Sequence, residues 1–206
     1  MSDRKEHWQT VYETKLTDQV SWYQPMPNPS LDALARFHAM PDQSLIDIGG
    51  GSSSLAAELL RAGWRDLTVL DISDAALSQA RRALGAAQSS IDWVCANITT
   101  WCPERTYDIW HDRAVFHFLT DQTERAAYKS ALSKGLAEGG LMLIGTFAKD
   151  GPETCSGLPV RQYDPDDLAK EFGNSLRVID SWRETHLTPS GAQQAFTWCA
   201  FRKETK

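Results

Sequence analysis

The chain has 206 residues, 42% of them hydrophobic and 23% charged, the make-up of one ordinary globular domain with a sizeable core and no room for a second. Its formal net charge is −6 and its 21 Lys and Arg are scattered rather than clustered, which argues against nucleic acid as a partner. The opening residues Met1 to His7 lack the apolar core of a signal peptide, and no apolar run approaches the ~18 residues of a membrane span, so a cytoplasmic, monomeric protein without a membrane partner is expected.

Between Glu6 and Lys15 the positions Trp8, Val11 and Tyr12 fall at i, i+3 and i+4, one face of a short helix. Ser21 to Ser30 carries three prolines and reads as an extended crossing, with Ser30 capping a helix from about Leu31 to Ala39. From Ser44 onward short apolar runs alternate with amphipathic stretches, the pattern of βα units around a parallel sheet. The strands expected are Leu45 to Ile48, Leu67 to Asp71, Ile91 to Cys95, Tyr107 to His111 and Leu141 to Phe147. The helices between them carry Leu55, Leu59 and Leu60, then Ala76, Leu77, Ala80 and Leu84, then Tyr128, Ala131, Leu132 and Leu136. Gly63 stops the first of these helices, Ser73 caps the second, and Asp121 with Glu124 has the spacing of a capping box for the third. A polar stretch from Ala148 to Tyr163 precedes a short helix at Pro165 to Phe172. Runs at Leu176 to Trp182 and Gln194 to Phe201 then read as an antiparallel hairpin at the sheet edge.

A parallel strand ending in glycines lets the backbone turn sharply at the carboxyl edge of the sheet, where open α/β folds bind ligands. Gly49 and Gly51 hold that position, and Asp71, twenty residues after Gly51 at the end of the second strand, is placed to accept hydrogen bonds from ribose hydroxyls. Nicotinamide and methionine-derived cofactors both carry such a ribose. The third glycine of the dinucleotide fingerprint is replaced by Ser52-Ser53-Ser54, Asp47 puts a carboxylate where a pyrophosphate would be repelled, and no Tyr-x-x-x-Lys pair is present. A cationic sulfonium or amino group suits Asp47 better.

Leu45-Ile46-Asp47-Ile48-Gly49-Gly50-Gly51-Ser52 resembles motif I of the class I S-adenosylmethionine-dependent methyltransferases, and Val69-Leu70-Asp71-Ile72-Ser73 resembles their motif II. Cys95-Ala96-Asn97-Ile98 is similar to the adenine-contacting segment, with Asn97 where many members have Asp. Leu136 to Leu141 is similar to the Leu-x-Pro-Gly-Gly turn, with Glu138 in place of Pro. The N-terminal His7 to Glu13 with Ser21-Trp22-Tyr23 is similar to lysine methyltransferases of elongation factor 1A and citrate synthase, and Trp110 to Ala114 is similar to the post-strand-four motif of thiopurine S-methyltransferases.

The resemblance implies an α/β, Rossmann-like, seven-stranded, mostly parallel sheet with an antiparallel C-terminal hairpin and helices on both faces. Within a single domain spanning 1–206, it makes 1–40 a cap, 41–147 the cofactor-binding core, 148–163 an acceptor lid and 164–206 the terminal helix and hairpin. The implied cofactor is S-adenosyl-L-methionine: Asp47, Gly49 and Gly51 at its methionine end, Asp71 and Ile72 at the ribose, Asn97 and Ile98 at the adenine, and Tyr12 or Trp22 closing the front beside the sulfonium. His111 or Asp112 takes a proton, Arg113 pairs with Asp112 or binds an anionic acceptor group, and Arg161 and Tyr163 contact the acceptor, a small molecule or a protein side chain reacting at nitrogen or sulfur. His117, one turn beyond Arg113, reads as a helix-face residue. The four cysteines, Cys95, Cys102, Cys155 and Cys199, lack Cys-x-x-Cys or His/Cys metal spacing, so reduced thiols and no metal are expected, and Cys155 has no His partner to make it a nucleophile. The alternatives are an NAD(P)-dependent oxidoreductase and a non-catalytic domain that binds the cofactor as a sensor.

Overall fold

The computed structural model describes residues 2–173 and 176–205. Helix α1 (Ser2–Thr14) and α2 (Asn28–Arg36) precede β1 (Leu45–Ile48), α3 (Leu55–Arg61), β2 (Leu67–Asp71), α4 (Asp74–Leu84) and β3 (Asp92–Cys95). There follow β4 (Tyr107–Arg113), α5 (Gln122–Gly135), β5 (Leu136–Phe147), a small hairpin of β6 (Thr154–Cys155) and β7 (Leu158–Pro159), α6 (Pro165–Phe172), β8 (Leu176–Leu187) and β9 (Gln193–Lys203).

Seven strands form one sheet in the order β3-β2-β1-β4-β5-β9-β8, parallel from β3 to β5, with β9 antiparallel to both β5 and β8. Every residue of β1 and β2 is buried, as expected for parallel strands covered on both faces. One face packs Leu45, Val69, Ile109, Leu143, Phe196 and Trp198 against Leu34 of α2, Leu55 and Leu59 of α3 and Leu77 of α4. The other packs Ile46, Ile48, Trp110, Met142, Ile144 and Phe201 against Tyr128 and Leu132 of α5 and Leu168 and Phe172 of α6. Each such aliphatic or aromatic side chain taken from water contributes about 1.5–3 kcal/mol, so these two layers are what fixes the carboxyl edge. No helix among the described residues is long and apolar enough to cross a membrane.

Strands and helices lie where the sequence places them, with extensions and four local corrections. Helix α2 starts three residues earlier than expected, with Pro29 in its first turn, and Ser30 sits inside it rather than at its cap. The Ser30 hydroxyl is drawn to a histidine on β4 instead. Asp121 caps α5 through the Thr123 N–H at 2.7 Å, but Glu124 does not complete a box because it bonds Arg4 of α1 at 2.8 and 3.1 Å. The hairpin of β6 and β7 was not expected, and β5 begins at Leu136 with a register shift against Tyr107 and Ile109 of β4. Ser73 does cap α4, accepting from the Ala76 N–H at 3.2 Å, and Gly63 follows α3 with a φ of +92°.

Candidate functional site

The glycine turn after β1 has φ values of +67° at Gly49 and +38° at Gly51, a region open to glycine and strained for other residues. Space is denied there as well. A Cβ on Gly49 would lie 2.0 Å from Val115 Cγ2, one on Gly50 2.5 Å from Asp47 Oδ2, and one on Gly51 2.8 Å from Asp71 Oδ2. The glycines thus let Val115, Asp47 and Asp71 close on the backbone, a packing role that the sequence reading, concerned with ligand approach, did not contain.

Asp71 ends β2 buried, and its Oδ1 accepts the Ser73 N–H at 2.8 Å. Burial pushes its carboxyl up to about 7, against the opposing help of the Ser73, Ile72 and Gly51 N–H groups. Tyr12 of α1 brings its hydroxyl to this end of the turn, where burial first and the Asp71 charge second hold it protonated. Asn97 lies beyond β3 and spends its Oδ1 on the Thr99 N–H and hydroxyl, at 3.0 and 2.9 Å, which leaves its amide nitrogen available. Gly49, Asp71, Ile72, Asn97 and Ile98 meet around one cavity of about 100 Å³, with Trp8, Tyr12, Trp22 and Phe118 over it. These rings pack edge to face: Trp8 lies 5.4 Å from Trp22 and 5.1 Å from Phe118, centroid to centroid.

A larger cavity of about 870 Å³ adjoins, sharing Tyr12, Trp22, Gly49 and Arg113 with the first, and its floor includes Asp47, Ser30 and His111. Asp47 on β1 and His111 on β4 are register partners, and Nδ1 of the imidazole lies 2.7 Å from Asp47 Oδ1. Ser30 Oγ is 2.9 Å from Nε2. Arg113, two residues further along β4, packs over the Phe196 ring at 4.7 Å, bonds Glu184 of β8 at 3.0 Å, and keeps a buried Nε without a partner. Glu184 also takes the Trp198 indole N–H at 2.6 Å.

The geometry bears on the assignments made from the sequence for Asp112, Arg161, Tyr163 and His117. Asp112 alternates with His111, so it faces Trp110 and α5, fully buried, and borders neither cavity. Its oxygens accept the Tyr128 hydroxyl at 2.7 Å and the Val115 and Phe116 N–H groups, and burial lifts its carboxyl to about 6. It is not a base reaching an acceptor, and the expected Asp112–Arg113 pair is replaced by Arg113–Glu184. Tyr163 is buried against Phe116, the ring centroids 5.5 Å apart, and borders neither cavity. Arg161 is exposed, stacked over Tyr163 and paired with Glu171, and likewise borders neither. His117 lies on a short 3-10 helix, Phe116–Phe118, as a buried residue. Its Nδ1 accepts the Phe147 N–H, its Nε2 has no partner, and burial depresses it to about 3.

Of the 148–163 stretch, Cys155 is the residue on the cavity wall, and burial pushes its thiol up to about 11. The stretch is tied down by Ala148 N–H to Ala195 O, Arg161 N–H to His117 O and Tyr163 N–H to Phe147 O. Ser30, Trp8, Phe118, Glu184, Gln194 and Phe196 also belong to the site and were not foreseen. They reach it from elements far apart in sequence, and only the alternation of β9 hinted that Phe196 and Trp198 share a face.

Residues 45–140 match the family model of the methyltransferase domain. A trans-aconitate 2-methyltransferase of Rhizobium rhizogenes is 32% identical over 119 residues, 56% of this chain and 43% of that protein, so the chain spans less than half the length of that curated relative. Among solved structures, a SAM-dependent methyltransferase from Anabaena variabilis superposes with a TM-score of 0.77 at 15% identity, covering 98% of this chain and 94% of that one. The N-methyltransferase NodS from Bradyrhizobium japonicum, in complex with S-adenosyl-L-homocysteine, gives 0.73 at 17% identity over 96% and 98%. The 1,6-didemethyltoxoflavin-N1-methyltransferase of Burkholderia thailandensis, with its acceptor and S-adenosylhomocysteine bound, gives 0.74 at 18% identity over 99% and 88%. These structural likenesses speak for the fold. The domain match over residues 45–140 and the motif order on the sheet make the core of this chain similar to the methyltransferase domain.

Proposed function

We propose that this chain transfers the methyl group of S-adenosylmethionine to a nitrogen or sulfur nucleophile of a small molecule. The observation that supports this best is the meeting of the glycine turn, Asp71 and Asn97 around one cavity at the carboxyl edge of the parallel sheet. The residues fit an adenosine-bearing donor. Asp71 offers a buried carboxylate to ribose hydroxyls, Ile72 and Ile98 offer apolar walls to adenine, and Gly49 of the turn borders the same cavity. Asp47, Asp71 and the faces of Tyr12 and Trp22 favour a cation over a pyrophosphate, which speaks against the nicotinamide alternative.

When bound, the donor supplies a methyl carbon already activated for displacement. The chain's part is to hold the acceptor in line and to keep water out. Trp8, Trp22 and Phe118 exclude water from the front. Phe147, Phe196, Cys155 and Gln194 form the wall facing them, beside the larger cavity that Arg113 and Gly49 share and from which the acceptor reaches the donor. Arg113 is neutralised by Glu184 and Arg4 by Glu124, so among the described residues of the smaller cavity no unpaired cation is left to select a multiply anionic molecule. A small, largely uncharged acceptor suits this wall better than an acid like the one named for the Rhizobium relative. The 148–163 stretch, contributing Cys155, serves as its cover.

The test is turnover: the protein is incubated with S-adenosylmethionine tritiated on the methyl group and a fractionated cell extract. Label is expected in the small-molecule fraction. Label confined to a protein band would move the acceptor to a side chain, and no label anywhere despite donor binding would favour the sensor.

A further inference from the structure

Ser30, His111 and Asp47 arrive from α2, β4 and β1 and form a continuous hydrogen-bonded line, 2.9 Å from hydroxyl to imidazole and 2.7 Å from imidazole to carboxylate. All three are buried, at 2, 2 and 4% exposure, and all three border the 870 Å³ cavity. With Nδ1 against a carboxylate, the neutral imidazole carries its proton on Nδ1 and donates it to Asp47, so Nε2 accepts the Ser30 O–H. The Ser30 oxygen then keeps lone pairs for a group in the cavity.

We infer that Ser30 and His111 form a proton relay that deprotonates the methyl acceptor, with Asp47 as the positioning residue, and that the acceptor is therefore protic (an amine or thiol) rather than a carboxylate. This rests on the methyl-transfer reading above. The acceptor's proton passes to Ser30 Oγ as the Ser30 hydroxyl proton passes to His111 Nε2. The lone pair freed on the acceptor forms the bond to the methyl carbon, and the pair of the broken carbon–sulfur bond stays on the departing thioether. The proton ends on an imidazolium whose Nδ1–H faces Asp47, and it later leaves to water. A carboxylate acceptor, already ionised at neutral pH, has no use for such a line. The charged groups around His111 are Asp47 from β1, Arg113 and Asp112 on its own strand, and Glu184 of β8, held by Arg113 and Trp198. Trp198 of β9 lies 6.0 Å from the imidazole and excludes water on that side.

The test follows tritiated methyl transfer to the small-molecule fraction of a cell extract from about pH 6 to 9 for wild type, Ser30→Ala and His111→Gln, with S-adenosylhomocysteine affinity measured beside it. Ser30→Ala is expected to slow transfer about 100-fold at neutral pH with affinity within about twofold, the deficit shrinking as pH rises and the acceptor ionises unaided. Wild-type rates in Ser30→Ala, or a deficit equal at every pH, would overturn the relay. No label from wild type that binds S-adenosylhomocysteine would instead bring down the transfer reading, and the relay with it. Nitrogen NMR of the His111 imidazole in the unmodified protein needs no acceptor: the Nδ1–H form is expected, and an Nε2–H form would overturn the relay because that nitrogen could not take a proton.

Discussion

On β4 the side chains of His111 and Asp112 leave the strand on opposite faces, one to the cavity floor and one into the layer under α5. Asp112 receives three donors, from Tyr128, Val115 and Phe116, and so anchors the turn in which Ala114 adopts a φ of +70°. That turn sets Val115 against Gly49 and starts the chain toward Phe118. Asp112→Ala would leave those donors buried and unpaired, and we predict a loss of about 2–4 kcal/mol in denaturant unfolding; a variant as stable as wild type would refute the anchoring role. The alternation that separates the two residues was legible in the sequence, since Trp110 and Asp112 share a parity on the strand and His111 lies between them. The partner of His111 on its far side was not, because Ser30 lies 81 residues away and nothing in a serine before an amphipathic helix distinguishes a cap from a tertiary hydrogen bond.

At the scale of elements, α1 is the piece that governs access. It is held by Arg4 to Glu124 and the Phe118 carbonyl, by Gln9 to Ser73 and Ala75, and by Gln79 to the Tyr12 carbonyl, while Trp8 and Tyr12 face the smaller cavity. That cavity, about 100 Å³, is below the roughly 300–1,000 Å³ of most ligand pockets, so entry of the proposed donor is expected to come with a shift of the rings of α1 and Trp22. Arg4→Ala is expected to cost less than about 1 kcal/mol of global stability, as its ion pair is partly exposed. The same change is expected to speed amide exchange across α1, with donor binding slowing it again; exchange unaffected by both would show that α1 is no gate. The sequence announced the helix through Trp8, Val11 and Tyr12, but a spacing pattern names a face without naming what it covers.

At the scale of the molecule, β1 to β5 and the terminal hairpin were readable because buried parallel strands are short apolar runs and their turns need glycine. The donor side of the site was readable for the same reason, as Gly49 and Asn97 follow a strand and Asp71 ends one at the carboxyl edge. The acceptor side was not, since it is assembled from α1, the β4 turn, β8 and β9 by contacts such as Arg113–Glu184 that leave no local pattern. The fold therefore carries the account only as far as the donor, and the donor rests on Asp71. In the proposed ribose role its carboxyl, raised to about 7 by burial, accepts from hydroxyls best when ionised, so affinity is expected to be full above that value and to fall as pH drops below it. The direct measurement is calorimetric titration with S-adenosylhomocysteine and, separately, with NAD. We predict S-adenosylhomocysteine binding about tenfold weaker at pH 6 than at pH 8, weakened by about 1–3 kcal/mol in Asp71→Ala with the pH dependence gone, and no NAD binding. Tight NAD binding with no response to S-adenosylhomocysteine would contradict the account.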